Sequence, residues 1–225
     1  MILTPRLQLI YDIIPKCNAV ADIGTDHGYI PISAVCGKKC NSALAMDVNK
    51  GPLDAAKLNI AKYGVADSVA TRLSNGLENL NKGEADVIVI AGMGGPLIGE
   101  IIKKGIDAIT DDTILILQPM IAQKELREFL WGNGFKITDE YVCREENKFY
   151  NILKVKKGTY NPTLKELYIG KNVKQNSPKV YCEYIEHKLK VAQKILLGLK
   201  KSSDDKSTQI NLVQKEIDIY REEQI

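Results

Sequence analysis

Residues 20–31, VADIGTDHGYIP, gather two carboxylates, a hydroxyl, an imidazole and a phenol around a glycine turn. An apolar run ends at Asp22, Gly24 follows, and Thr25, Asp26 and His27 stand before Gly28 and Tyr29. A dinucleotide turn carries G-x-G-x-x-G and closes on a pyrophosphate. Here only Gly24 and Gly28 remain, and Asp26 would repel an anion. A cation is attracted instead. The Asp22/Asp26 turn therefore suits the sulfonium and ammonium of S-adenosylmethionine better than the phosphates of NAD.

Further polar residues follow other apolar runs. Asp47 closes SALAMD, 23 residues after Gly24. A carboxylate there accepts both hydroxyl hydrogen bonds of a ribose; an Asp in that position also serves as a helix N-cap. Asn75 and Gly76 follow VATRLS and offer an amide and open backbone to an adenine ring. Met93, between glycines, is expected in the pocket wall. His27 either orients Asp26, touches the cofactor or is structural. Tyr29 stacks on a substrate base or packs beneath the next helix. Arg6 reaches a phosphate, the target base or an exposed carboxylate.

Elements that position these residues are legible in the pattern. AVADIG, SALAMD, VATRLS, ADVIVIAG and TILILQP read as strands, apolar enough to be covered on both faces. Helices fit between them: one opening at Thr4-Pro5, one at Pro52 carrying Leu53, Ala56 and Ile60 inward and stopping at Gly64, then PLIGEIIKKG and AQKELREFLWGNG. This alternation predicts a doubly wound α/β domain. FKITDEYVCREENKFYNILKVKKG adds two strands joined by a polar turn. Beyond Tyr160, Tyr181, Ile185, Leu189, Ala192, Leu196 and Leu199 form one helical stripe, SSDDKS breaks it, and Ile210, Val213, Ile217 and Tyr220 resume it. That is an antiparallel helical hairpin packed like a short coiled coil. The expected division is 1–157 for the α/β domain and 158–225 for the hairpin.

Charge follows the same division. Residues 1–157 hold 19 basic and 19 acidic side chains, whereas 158–200 hold eight and three. Such a shift marks a nucleic-acid surface or merely solvated helix faces. Five cysteines without a C-x-x-C pair read as reduced thiols in a cytosolic protein, with no metal site. No apolar run is long enough to span a bilayer, and the N-terminus reads as a helix rather than a signal peptide.

Together ADIGTDHGYIP, LAMDVNKGPLDAAKLNI, RLSNGL and VIVIAGMGG, with RLQLIYDII, LQPM and ENKFYNILKV around them, closely resemble the bacterial tRNA (adenine-N1)-methyltransferases that modify a D-loop adenosine, adenine-22. The resemblance covers about residues 3 to 157; beyond that it extends only to a helical C-terminal region. It implies a class I methyltransferase fold, Rossmann-like, with seven strands, the last pair antiparallel. It also implies S-adenosylmethionine lying across Asp22, Gly24, Thr25, Asp47, Asn75, Ala91 and Gly92, with His27, Gly28, Gly76 and Met93 around it. The N-P-P-[YF] motif that grips an exocyclic amine is absent, and AGMG holds its place, which fits attack by a ring nitrogen.

Adenine N1 has a free lone pair, so catalysis should be mostly placement. The product is cationic, and a carboxylate accepting from N6 offsets that charge. Asp26 is the expected catalytic residue, with Tyr29 stacking on the base; a helix N-cap for YIPISAV is the alternative for Asp26. Lys171, Lys174, Lys188, Lys190 and Lys194, with Arg6, are expected to contact tRNA. The partner set is tRNA alone, with a monomeric enzyme and neither metal nor membrane. Two other functions fit the same residues: a small-molecule methyltransferase, and a noncatalytic RNA-binding protein on a retained cofactor fold.

Overall fold

A computed structural model describes residues 1–201 and 205–224. Its centre is a seven-stranded sheet in the order β3-β2-β1-β4-β5-β7-β6. The strands are β1 (Ala19–Ile23), β2 (Ser42–Asp47), β3 (Val69–Leu73), β4 (Val87–Met93), β5 (Ile114–Pro119), β6 (Phe135–Glu145) and β7 (Lys148–Lys157). The first five are parallel, and β7 runs antiparallel to both β5 and β6. Helices α1 (Pro5–Ile13), α2 (Tyr29–Cys36), α3 (Lys50–Lys62), α4 (Gly95–Lys104) and α5 (Gln123–Gly132) pack around this sheet.

Two cores explain why the central strands are apolar without alternation. Ile88, Ile90, Leu115 and Leu117 face one core, while Val87, Val89 and Ile116 face the other. Neighbouring residues of one strand point to opposite faces, so both sets must be apolar. Helix α3 opens at Lys50, two residues before Pro52, because the extended Asn49 already serves as its N-cap residue. Leu53, Ala56 and Ile60 are buried as expected, and Gly64 follows the helix end at φ +67°.

The C-terminal region holds more than a hairpin. Two short helices, α6 (Leu164–Tyr168) and α7 (Val173–Asn176), precede α8 (Pro178–Lys200) and α9 (Ser207–Glu222). Both are too short to carry a periodic signal. The stripe on α8 is buried at Tyr181, Ile185, Leu189 and Ala192, against Ile217 and Tyr220 of α9. Most of the expected SSDDKS turn, residues 202–204, lies outside the described residues.

This region is welded to the sheet. Val142 and Phe149 of the β6–β7 hairpin join its core. Arg127 of α5, fully buried, makes a two-pronged ion pair with Glu140 of β6, at 2.7 Å on each prong. The same guanidinium donates to the carbonyls of Leu167 and Ile169, just where α6 ends. Burial alone would pull its pKa down, but Glu140 reverses that and holds the charge. Gly170 passes over the Glu140 carboxylate at φ +107°, so closely that a side chain would overlap it.

Candidate active site

Strand register builds the site. Ile23 pairs with Met46, Asp47 with Leu73, and Ile23 also with Ile90. Strands β1, β2 and β3 thus end within one residue of each other while β4 runs on from Ile90 to Met93, and Asn75, Asp47, Gly24 and Gly92 follow one another along the carboxyl edge. Ligands of open parallel sheets bind at this edge, near the reversal of strand order, here between β1 and β4. Gly24 turns there at φ +74°, with its N–H and that of Thr25 both donating to the Met46 carbonyl. That left-handed φ favours glycine, and any side chain there would also have to displace the Met93 methyl.

A cavity of about 370 Å³ opens beside it. Asp22, Gly24, Thr25, Ala91 and Gly92 line its floor end at the strand tips, and Arg6, Asp26, His27 and Tyr29 also line it. Asp22 is 7% exposed, and burial pushes its pKa from 3.8 up to about 6; the Thr25 side chain tempers that rise and Asp47 adds to it. Thr25 Oγ1 is buried and makes no hydrogen bond of good geometry. A buried hydroxyl against a buried carboxylate at a cavity wall offers two polar groups to a polar ligand.

Asp26 is at the mouth, with its side chain 80% exposed and 3.5 Å from His27 Nε2. It does not cap α2: the N-cap residue is Gly28, at φ +70°, and no side chain caps it. The His27 and Tyr29 rings stack at 5.2 Å and 23°. Asn59 pins the His27 carbonyl at 2.9 Å. This pair makes a flat aromatic wall beside an exposed carboxylate.

Several expected cofactor residues stand outside this cavity, on the same strand edge. Asp47 accepts from the N–H of Asn49 at 2.7 Å, and Asn49, not Asp47, is the N-cap residue of α3. Asn75 donates to Glu78, and Gly76 turns at φ +59°. Gly28 packs against Ala56, and Met93 against Gly24.

Sequence reasoning does not find Gln118. It lies fully buried at the end of β5 and accepts from both the Gly92 N–H (3.1 Å) and Arg6 Nη1 (2.7 Å). It therefore aims Arg6 into the cavity; Arg6 also lies over the Tyr150 ring at 5.6 Å, and its own N–H donates to Glu145. The available signal is one polar residue in the run TILILQP, whose partners lie 26 and 112 positions away.

The expected RNA-contacting lysines are spread out. Lys171 and Lys174 precede α8 and sit over Tyr160 (3.7 Å) and Tyr181 (5.7 Å). Lys188 lies 5.5 Å over Tyr220, and Lys190 is paired with Glu186 at 2.6 Å. Lys190 and Lys194, four apart on α8, share a face. Among the described residues no cluster of three metal-ligating side chains occurs, and no helix is long and apolar enough to cross a membrane.

Residues 3–153 match the family model described as a methyltransferase domain. A tRNA (adenine(22)-N(1))-methyltransferase of Bacillus subtilis is 40% identical over 156 residues, 69% of this chain and 66% of that protein. The crystal structure of the B. subtilis m1A22 tRNA methyltransferase superposes at a TM-score of 0.87, with 30% identity, over 100% of this chain and 99% of that one. A Streptococcus pneumoniae protein solved with S-adenosyl-L-methionine gives 0.87 and 29%, with both chains covered in full. A parallel edge shaped for a nucleoside cofactor, and likeness that extends through the C-terminal helices, lead to one assignment: the chain belongs to the tRNA (adenine(22)-N(1))-methyltransferase family.

Proposed function

We propose that the chain methylates N1 of adenine-22 in the tRNA D-loop, with S-adenosylmethionine as donor. The observation that carries this reading is the joining, at one cavity, of a buried carboxylate and a buried hydroxyl (Asp22, Thr25) with an exposed carboxylate beside a stacked aromatic pair (Asp26, His27, Tyr29). The strand-end side fits the cofactor, and the mouth fits a flipped base. Asp47 holds the ribose, Asn75 and Gly76 border the adenine, and Asp22, Gly24, Thr25, Ala91 and Gly92 hold the amino-acid end. When bound, the cofactor supplies a methyl group on a cationic sulfur.

The chain's own residues do the rest. Tyr29, backed by His27, receives the face of the extruded base. Asp26 accepts a hydrogen bond from its N6 amino group and offsets the charge that develops as N1 is methylated. N1 has no proton to lose, so no residue need act as a base. Arg6, aimed by Gln118, holds the target nucleotide by its phosphate or base edge. Residues 1–157 carry this chemistry, and 158–225 dock the body of the tRNA.

The test is methyl transfer to an unmodified tRNA transcript, followed by mapping of the modified position. Methylation at adenine-22, lost when that adenosine is replaced by guanosine, is the expected result. Transfer to small nucleosides but not tRNA would favour the small-molecule reading. Calorimetric silence toward S-adenosylmethionine would favour a noncatalytic RNA binder.

A further inference from the structure

A second, larger cavity of about 620 Å³ lies where the β5–α5 loop and the β6–β7 turn meet helices α8 and α9. It shares a wall with the first. Tyr150 lines it, and Tyr150 carries Arg6 on its ring; Met120 lines it, and the Met120 sulfur accepts from the Gln118 carboxamide that aims Arg6.

Its chemistry is that of a nucleotide site. Phe149 and His187 meet at 5.2 Å and 42°, leaving aromatic surface at the wall. Lys148 and Lys188 bring two cations, and Gln123 an amide. The one acid, Glu216, already accepts from the Tyr220 hydroxyl at 2.6 Å. Aromatic faces flanked by lysines hold single-stranded bases irrespective of sequence.

A ridge borders the second cavity. Met120 is 40% exposed and Ile121 66%. The next residue, Ala122, takes a left-handed conformation at φ +59°, unfavourable for a side chain with a Cβ. The loop is nevertheless fixed: Gly95 N–H donates to the Ile121 carbonyl at 3.0 Å and Met120 N–H to that of Met93 at 2.8 Å. An apolar ridge locked in a strained turn at the wall of this cavity, and tied through Gln118 to Arg6 of the first, has the form of a wedge that parts neighbouring bases.

We infer that this second cavity binds a nucleotide of the tRNA D-loop flanking the target adenosine, with Phe149 and His187 against its base and Lys148 and Lys188 on its phosphates. This rests on the tRNA reading above. Holding the neighbour fixes the backbone on one side of the flipped adenosine.

The experiment uses the full chain and tRNA transcripts carrying a single abasic nucleotide at each position flanking adenine-22. With the wild-type protein, one flanking abasic position should raise the Kd and KM for tRNA about tenfold, the order that base–aromatic stacking contributes. Phe149→Leu keeps apolar volume but removes the aromatic face, and Lys188→Ala removes a cation that rests on the Tyr220 ring, with Lys188→Met keeping the apolar stem there as its control. Phe149→Leu should show the same loss on intact tRNA and no further loss on that abasic tRNA, with unchanged affinity for S-adenosylmethionine. Lys188→Ala should weaken intact and abasic tRNA alike. If every flanking abasic site is tolerated, or if the Phe149→Leu and abasic losses simply add, the inference falls while the tRNA reading stands. If the wild-type protein methylates no tRNA, both fall together.

Discussion

The carboxyl edge of the parallel sheet and the C-terminal helices solve different problems. At the edge, Asn75, Asp47, Gly24 and Gly92 are placed by strand register, so backbone geometry does the positioning and each side chain is short. In the helical region an apolar stripe holds a scaffold, and long lysines project from it. Register tolerates little change, whereas a stripe tolerates much. The likenesses run the same way: identity to the B. subtilis methyltransferase is 40% over an aligned 156 residues, yet a fold match at 30% extends over the whole chain. Shape outlasts sequence where only an apolar face is required.

The comparison breaks first if the two regions are not independent. Arg127 and Glu140 tie them, and the guanidinium also holds the carbonyls of Leu167 and Ile169 at the end of α6. Glu140→Gln should leave a buried charge without its counterion and cost about 3–5 kcal/mol. We expect one lowered thermal transition, read by circular dichroism, with cofactor binding and helix content lost together. Two separate transitions would show that residues 158–225 fold on their own. A cut after Lys157 is a poor substitute, because it would bare Val142 and Phe149 and orphan Arg127.

The next largest effect belongs to the edge itself. Asp26→Asn preserves shape and removes a charge that no cap or core depends on. Turnover should fall roughly a hundredfold, as for loss of one preorganised charge-stabilising group, while the Kd for S-adenosylmethionine stays within about twofold. Equal losses in both would move Asp26 from the base to the cofactor.

These side chains are readable because they lie at or just beyond the ends of their strands, and a strand is a local pattern. The parallel sheet, the helical stripe and the glycine turn all depend on neighbours in sequence. Gln118 and the Arg127–Glu140 pair depend on contacts across the fold, and nothing beside them in the chain announces those partners. The short α6 and α7 are held by tertiary packing rather than by periodicity; for α6 the one local signal is a capping box from Thr163 to Glu166. The C-terminal lysines are legible as a charge excess but not as a surface, since spacing along the chain says nothing of the tyrosines beneath Lys171, Lys174 and Lys188.

A pH series sharpens the edge further. Burial raises the Asp22 pKa from 3.8 to about 6, so the folded protein holds that proton more tightly than the unfolded chain does. Its contribution to stability is therefore full below about pH 4 and is lost as pH rises through about 6. Cofactor affinity should run the opposite way, since the ionised carboxylate attracts a cation. From pH 5 to pH 7 affinity should rise about tenfold with release of a proton on binding, and Asp22→Asn should flatten the profile. Calorimetry in two buffers of different ionisation enthalpy measures the proton directly. A flat wild-type profile would place Asp22 away from the cation.

The smallest effect tests the other half of the comparison. If the helices only dock tRNA, their lysines should act by charge and additively, without touching chemistry. Lys174, Lys190 and Lys194 are suited to this because they lie outside both cavities. Lys190 is already paired with Glu186 and Lys174 rests on Tyr181, so Lys→Glu there also risks local packing. Lys→Ala variants of the same three separate the two causes: packing losses appear in both sets, and charge effects are larger in the reversed set. Triple reversal should weaken tRNA binding roughly tenfold at low salt and reduce the slope of log affinity against log salt by about one for each phosphate no longer neutralised. The difference between variant and wild type should shrink as salt rises, because screened charges contribute less at a distance. Turnover at saturating tRNA and cofactor affinity should not move. A fall in turnover instead would mean that these helices help assemble the active site, and that the edge and the scaffold share the chemistry.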